Sequence, residues 1–109
     1  MDCLFCRIIS GEIPSKKVYE DELCLAFKDI NPVAPFHVLM IPKKHIASAA
    51  EIVEEDAALI GHIFAEIPKI AEGQSSFRVI TNSGKEAGQS VNHLHFHIIS
   101  GRRLSLELG

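Results

Sequence analysis

The chain has 109 residues, of which 47% are hydrophobic and 23% charged, and its formal net charge is −3 at neutral pH. That length suits a single domain over residues 1–109, with about two-thirds of the unfolded surface buried, and the charge excludes the basic field that holds a nucleic-acid polymer. There is no long apolar run and no basic, apolar leader after Met1, so no membrane association and a cytoplasmic location are expected.

Cys3-Leu4-Phe5-Cys6 opens the chain as a Cys-x-x-Cys pair, and with Cys24 the thiols number three, which makes no disulfide framework. Leu4, Phe5, Ile8 and Ile9 have helical spacing, and Gly11 with Pro14 ends the turn, which predicts a short helix over residues 3–9. Residues 18–20 and 23–28 read as short strands joined at Glu20-Asp21-Glu22. A loop runs from Asp29 to Pro35, and residues 37–41 form an apolar strand stopped by Pro42.

Leu59, Ile60, Ile63, Phe64, Ile67 and Ile70 then form the apolar stripe of a long helix, with Glu55, Asp56, Glu66, Lys69 and Glu72 mostly off it. Glu51, Glu54, Glu55 and Asp56 crowd the helix N-terminus, where its dipole favours negative charge. Pro68 is expected to kink or end the helix, and Gly73 is the outer stop. Residues 77–81 are a further strand. His62 reads as packing or surface and Cys24 as a small core residue. The sum is an α+β fold: about five strands in a mostly antiparallel sheet, one long helix over one face and a short N-terminal helix.

The segment His93-Leu-His-Phe-His-Ile-Ile99 alternates imidazole with hydrocarbon. Period two predicts a half-buried strand, with His93, His95 and His97 on an accessible face and Cα atoms about 6.6 Å apart from one to the next. Three readings fit that face: a merely polar strand surface, a metal site, or covalent catalysis by a neutral imidazole flanked by orienting rings. The preceding loop, Asn82-Ser-Gly-Lys-Glu-Ala-Gly-Gln-Ser90, has two glycines that allow backbone N–H groups to turn inward as an anion nest, with Gln89 and Ser90 adding side-chain donors. A nucleophile beside a phosphate cradle suggests transfer of a phosphorus group.

Gly88-Gln-Ser-Val-Asn-His-Leu-His-Phe-His-Ile-Ile99 resembles the His-φ-His-φ-His-φ-φ motif of the histidine triad superfamily. Phe5 with Ile8-Ile9, Glu12-Ile-Pro14, Ala26-Phe-Lys-Asp-Ile30, Ala34-Pro-Phe-His37 and Ile41-Pro-Lys-Lys-His45 resemble its Hint branch of nucleoside phosphoramidases, over residues 3 to about 101. The resemblance implies hydrolysis of purine nucleoside 5′-phosphoramidates and nucleotidylated amines in a homodimer whose sheets join. It implies that His95 is the nucleophile that becomes nucleotidylated, with His97 and His37 at the phosphate and leaving group and Ser90 a donor to the leaving nitrogen. Asn82, Gly88 and Gln89 would bind the phosphate region, Asp29 the ribose hydroxyls, and Phe5, Ile8, Phe27 and Ile30 the base.

The same resemblance bears on the cysteines. Related galactose-1-phosphate uridylyltransferases and some bacterial triad proteins bind a structural zinc through two cysteines and two histidines, which implies Zn²⁺ held by Cys3, Cys6, His45 and His93, with no metal needed for catalysis. A pair of uncoordinated thiols is the competing reading. The tail from Arg102 to Gly109 departs from the longer aromatic, proline-bearing end of Hint proteins, and the chain has no tryptophan, which bears on leaving-group preference. A dinucleoside polyphosphate hydrolase, or a nucleotide-binding interaction module with incidental turnover, is the alternative function.

Overall fold

Short apolar runs, bounded by turns and by Pro42, lay down the sheet. In the computed structural model, which describes residues 3–105, the strands are β1 (Lys17–Glu20), β2 (Cys24–Lys28), β3 (Phe36–Pro42), β4 (Arg78–Ile80) and β5 (Phe96–Ser100). They lie in the order β1-β2-β3-β5-β4, and every neighbouring pair is antiparallel. The helices are α1 (Leu4–Ile9) and the longer α2 (Ala57–Ile70). The expected α+β class is therefore the observed one.

Successive residues of each strand feed two different cores. Cys24, Ala26, Val38, Met40, Phe96 and Ile98 pack with Leu94 and with Ile63 and Ile67 of α2. Leu25, Phe27, Leu39 and Ile41 project the other way, against Cys3, Phe5 and Ile8. The two helices thus cover opposite faces of the sheet. Leu25, Met40, Ile41, Ile63 and Ile98 are fully buried, each contributing about 1.5–3 kcal/mol of transfer free energy.

The turn at Asp21 forms without the usual glycine. The Asp21 Oδ1 accepts from the amides of Leu23 and Cys24 (2.7 and 2.8 Å), a local side-chain bond that replaces the special backbone geometry. Its Oδ2 accepts from the Tyr19 hydroxyl (2.7 Å) and faces His62 Nε2 of α2 (2.6 Å). His62 is thus a tether between helix and hairpin.

Three expectations require correction. Pro68 does not end α2, which continues to Ile70. So close to the C-terminus proline forfeits a single hydrogen bond, to the carbonyl of Phe64, a residue 50% exposed on the solvent side. Glu66, expected off the apolar stripe, is buried, only 8% exposed. It pairs with Lys69 (2.9 Å) and lies beside Tyr19. Last, the histidine strand begins only at Phe96, because Leu94 N–H donates to the Ile46 carbonyl of the 43–48 loop (2.6 Å) instead of to a neighbouring strand. Alternation survives the break, since Leu94 still enters the α2 core with Phe96 and Ile98. The imidazoles are not displayed openly, however: His93 is 0% and His95 4% exposed. Phe5 of α1 covers them, its ring centroid 5.9 Å from that of His93 and 5.1 Å from that of His95.

Candidate active site and the cysteine–histidine cluster

β3 and β5 are paired so that Ile99 lies opposite His37 and His97 opposite Leu39, and this register brings the imidazoles of His37 and His97 together on the α1 side of the sheet. Their hydrogen bonds fix the placement of each proton. The Nδ1 of His37 accepts from the Val33 amide (3.1 Å). In the neutral ring the proton must then sit on Nε2, which lies 2.9 Å from Nδ1 of His97 and 3.3 Å from Oδ2 of Asp29. The Nδ1 of His97 is therefore an acceptor, and its Nε2 carries a proton. For His95, Nδ1 lies 2.7 Å from the His93 carbonyl, which can only accept. Its Nδ1 carries the proton, and the lone pair is left on Nε2, the nitrogen needed for nucleophilic attack.

Burial keeps the flanking rings neutral. It depresses the His37 pKa against the opposing pull of Asp29. Burial, followed by the His95 and His37 rings, brings His97 down to about 4. The sign of the linked stability follows. Between about pH 6.5 and 4 the unfolded state binds a proton at His97 that the folded state refuses, so this contribution is intact above pH 6.5 and is lost as pH falls toward 4. The melting temperature of His97→Gln should therefore fall less between those pH values than that of the parent protein. Equal falls in a thermal-melt series would contradict the assignment.

Beside these rings lies a cleft of about 280 Å³, lined among others by Phe5, Ile8, Phe27, Asp29, Ile30 and Ser90. It gathers the four residues expected at the base, the carboxylate expected at the ribose and the hydroxyl expected at the leaving group. Ile30, at 90% exposure, stands at its mouth. Leu4, Ile13, Pro14, Ser15 and Leu39, none of them a site residue in the sequence reading, also line it. Leu39 was within reach of the pattern, because it shares the His37 face of β3 at period two.

The loop corrects two further expectations. Gly84 and Gly88 do adopt positive φ (93° and 102°), but the amides of Gly84, Gly88 and Gln89 are spent inside the loop and are not turned toward an anion. Gly88 N–H donates to the Lys85 carbonyl and Gln89 N–H to the Gly84 carbonyl (3.0 and 3.1 Å). The Gln89 side chain is likewise spent on structure: its oxygen accepts from Gly84 N–H (2.8 Å), and its amide donates to the carbonyls of Ala47 and Val91 (2.7 and 2.9 Å). Both residues brace the loop that delivers exposed Ser90 to the cleft. Asn82 packs over Gly88, its side chain 3.9 Å from where a Cβ would lie.

The N-terminal cysteines meet His45 and His93 in a separate cluster whose four donor atoms all lie within 4.8 Å of one another. The Cys3 sulfur is 3.3 Å from His93 Nδ1, the Cys6 sulfur 3.3 Å from His45 Nδ1, and the two Nδ1 atoms 3.1 Å apart. A tetrahedral zinc with two sulfur and two nitrogen ligands has donor–donor edges of about 3.3–3.8 Å. The Nε2 of His93 donates to the Pro42 carbonyl (2.8 Å), leaving Nδ1 free of its proton as a ligand must be. The residues fit the ion.

An antiparallel sheet with three alternating histidines, the last of them bonded to a fourth from the adjacent strand, defines the class of protein. Residues 2–107 match the family described as "Scavenger mRNA decapping enzyme C-term binding". An "uncharacterized HIT-like protein" of Synechocystis is 49% identical over 95% of this chain and 94% of its own length. The structure of a "HIT family hydrolase" from Clostridium thermocellum superimposes with a TM-score of 0.93 at 47% identity, covering 97% of this chain and 96% of that one. A "histidine triad protein" from Clostridium difficile does so at 0.92 and 51% identity, covering 96% and 95%. The chain belongs to the histidine triad family.

Proposed function

We propose that the protein hydrolyses purine nucleoside 5′-phosphoramidates and nucleotidylated amines through a covalent nucleotidyl intermediate on His95. The observation that carries this reading is the bond from His95 Nδ1 to the His93 carbonyl, which leaves Nε2 as the basic atom. The Nε2 lone pair attacks the α-phosphorus, the phosphorus–nitrogen bond to the amine breaks, and the departing nitrogen takes a proton with Ser90 as donor. Water then attacks the phosphorus of the adduct and gives up a proton to Ser90, the bond to Nε2 breaks, and the nucleoside monophosphate leaves with the ring and the hydroxyl restored. The Nε2–H of His97 supplies a hydrogen bond to the phosphoryl oxygens as charge builds there. Similarity to a protein described as a HIT family hydrolase favours turnover over binding alone.

In this reading Asp29 accepts hydrogen bonds from the ribose hydroxyls. Asp29→Asn preserves an acceptor for the Asn31 amide, which now bonds Oδ1 at 2.8 Å, and should raise KM for a ribonucleotide substrate about 10-fold with no change in KM for the 2′,3′-dideoxy analogue, any change in kcat through His37, 3.3 Å from Oδ2, being shared by the two. Steady-state kinetics on the pair is the check, and equal effects on both would remove the ribose role.

A zinc ion held by Cys3, Cys6, His45 and His93 staples α1 to the segment entering β5. It would leave the chemistry to the imidazoles. We also infer a homodimer joined at β4, the strand at the end of the sheet order, beside which Phe77 is exposed. A panel of 5′-phosphoramidates and dinucleoside polyphosphates, with product analysis, tests the substrate class. Preference for the polyphosphates would overturn it.

A further inference from the structure

We propose that Arg102 is a positioning residue: by anchoring Val33 it sets the ring of His37 and, through it, the proton placement on His97. The inference rests on the reading of His97 as a donor to the phosphoryl group.

The connection is a continuous run of hydrogen bonds. Arg102 Nε–H donates to the Val33 carbonyl (3.0 Å), and the Val33 amide donates to Nδ1 of His37 (3.1 Å). The His37 Nε2–H then meets Nδ1 of His97 (2.9 Å). Reversing the tautomer of His37 would place two acceptors against each other at that last contact, so His97 would have to reverse as well. Its proton would then sit on Nδ1, and the hydrogen bond to the phosphoryl group would be lost.

Little else fixes Val33. Asn31, Pro32 and Val33 are exposed, and among the described residues the loop's own bond is the Asn31 amide to Asp29. The chain leaving β5 closes on this loop at two adjacent points. Gly101 has φ of 97°, and a Cβ there would lie 2.9 Å from the Pro35 Cβ, so a side chain at 101 is excluded and the backbones come close. Arg102, the next residue, supplies the hydrogen bond. The two strands that carry His37 and His97 are thus clipped together beyond the end of their ladder, at the Phe36–Ser100 pair. Asp29 beside His37 Nε2 favours the same tautomer, so loss of the clip weakens the arrangement without abolishing it.

The test is long-range 1H–15N correlation NMR of the imidazoles together with kinetics, in the parent protein and in Arg102→Met. The parent should show a pyridine-like Nδ1 and a pyrrole-like Nε2 on both His37 and His97. In Arg102→Met both rings should move toward averaged shifts, and kcat should fall about 5- to 10-fold, the worth of one hydrogen bond, with KM nearly unchanged. Parental shifts in the variant overturn the proposal, whether or not kcat falls, and so do moved shifts with an unchanged kcat. The NMR comparison needs no substrate, so a failure of the phosphoramidase reading would show separately, as an inactive parent protein whose imidazoles still respond to Arg102.

Discussion

His95→Asn should lower kcat/KM for an adenylated amine by at least about a thousandfold while leaving the melting temperature close to that of the parent. Asparagine is the informative replacement because its amide N–H can still donate to the His93 carbonyl, now 2.7 Å from Nδ1 of His95. It also keeps a planar group against Phe5, whose ring stands edge-on to the imidazole at 5.1 Å between centroids. The fold therefore retains its contacts, and what disappears is the lone pair on Nε2. A loss confined to KM would mean that the ring binds substrate without attacking it. Near-parental turnover would remove His95 from the chemistry altogether.

The second large effect concerns the metal. Protein purified without chelators should hold about one zinc per chain by atomic absorption, and stripping it should lower the melting temperature by about 10–20 °C. Without a cation the cluster is an awkward grouping: burial, then the hydrogen bond and charge of nearby Cys3, push the Cys6 thiol up to about 11. A divalent ion reverses that balance and holds both sulfurs as thiolates. The stabilisation is expected to be large because the cluster joins distant parts of the chain, the α1 N-terminus, the loop after β3 and the approach to β5. Activity should persist below the lowered melting temperature, since the bond that orients His95 runs to the His93 carbonyl and the His93 ring stays bonded to the Pro42 carbonyl. A metal-free protein with an unchanged melting temperature would contradict the structural role.

The residues that were legible in the sequence are those whose meaning is periodic. Residues 93–99 alternate and so place Leu94, Phe96 and Ile98 in one core, whereas residues 25–27 and 38–41 are unbroken apolar runs that mark strands without telling their two faces apart. The extent of the histidine strand was less accessible, because the Leu94 amide pairs with Ile46 and a distant loop partner leaves no trace in local spacing. Gln89 shows a different limit. A side-chain amide has the same donors whether it holds a phosphate or the carbonyls of Ala47 and Val91, and only the folded loop decides. His62 and Asp21 likewise meet across 41 residues, a pairing that neither helix period nor turn chemistry announces. Arg102 sits in a tail without pattern, and its contact with Val33 depends on where β5 ends.

The most direct test of the covalent route is intact-protein mass spectrometry on samples acid- and base-quenched during turnover of an adenosine 5′-phosphoramidate, followed by peptide mapping. The account predicts one added adenylyl group per active chain, on the peptide containing His95, stable in base and lost in acid as a phosphorus–nitrogen bond should be. An adduct on another residue, or turnover at full rate with no adduct trapped and net inversion at a chiral α-phosphorus, as a single displacement by water gives, would contradict it.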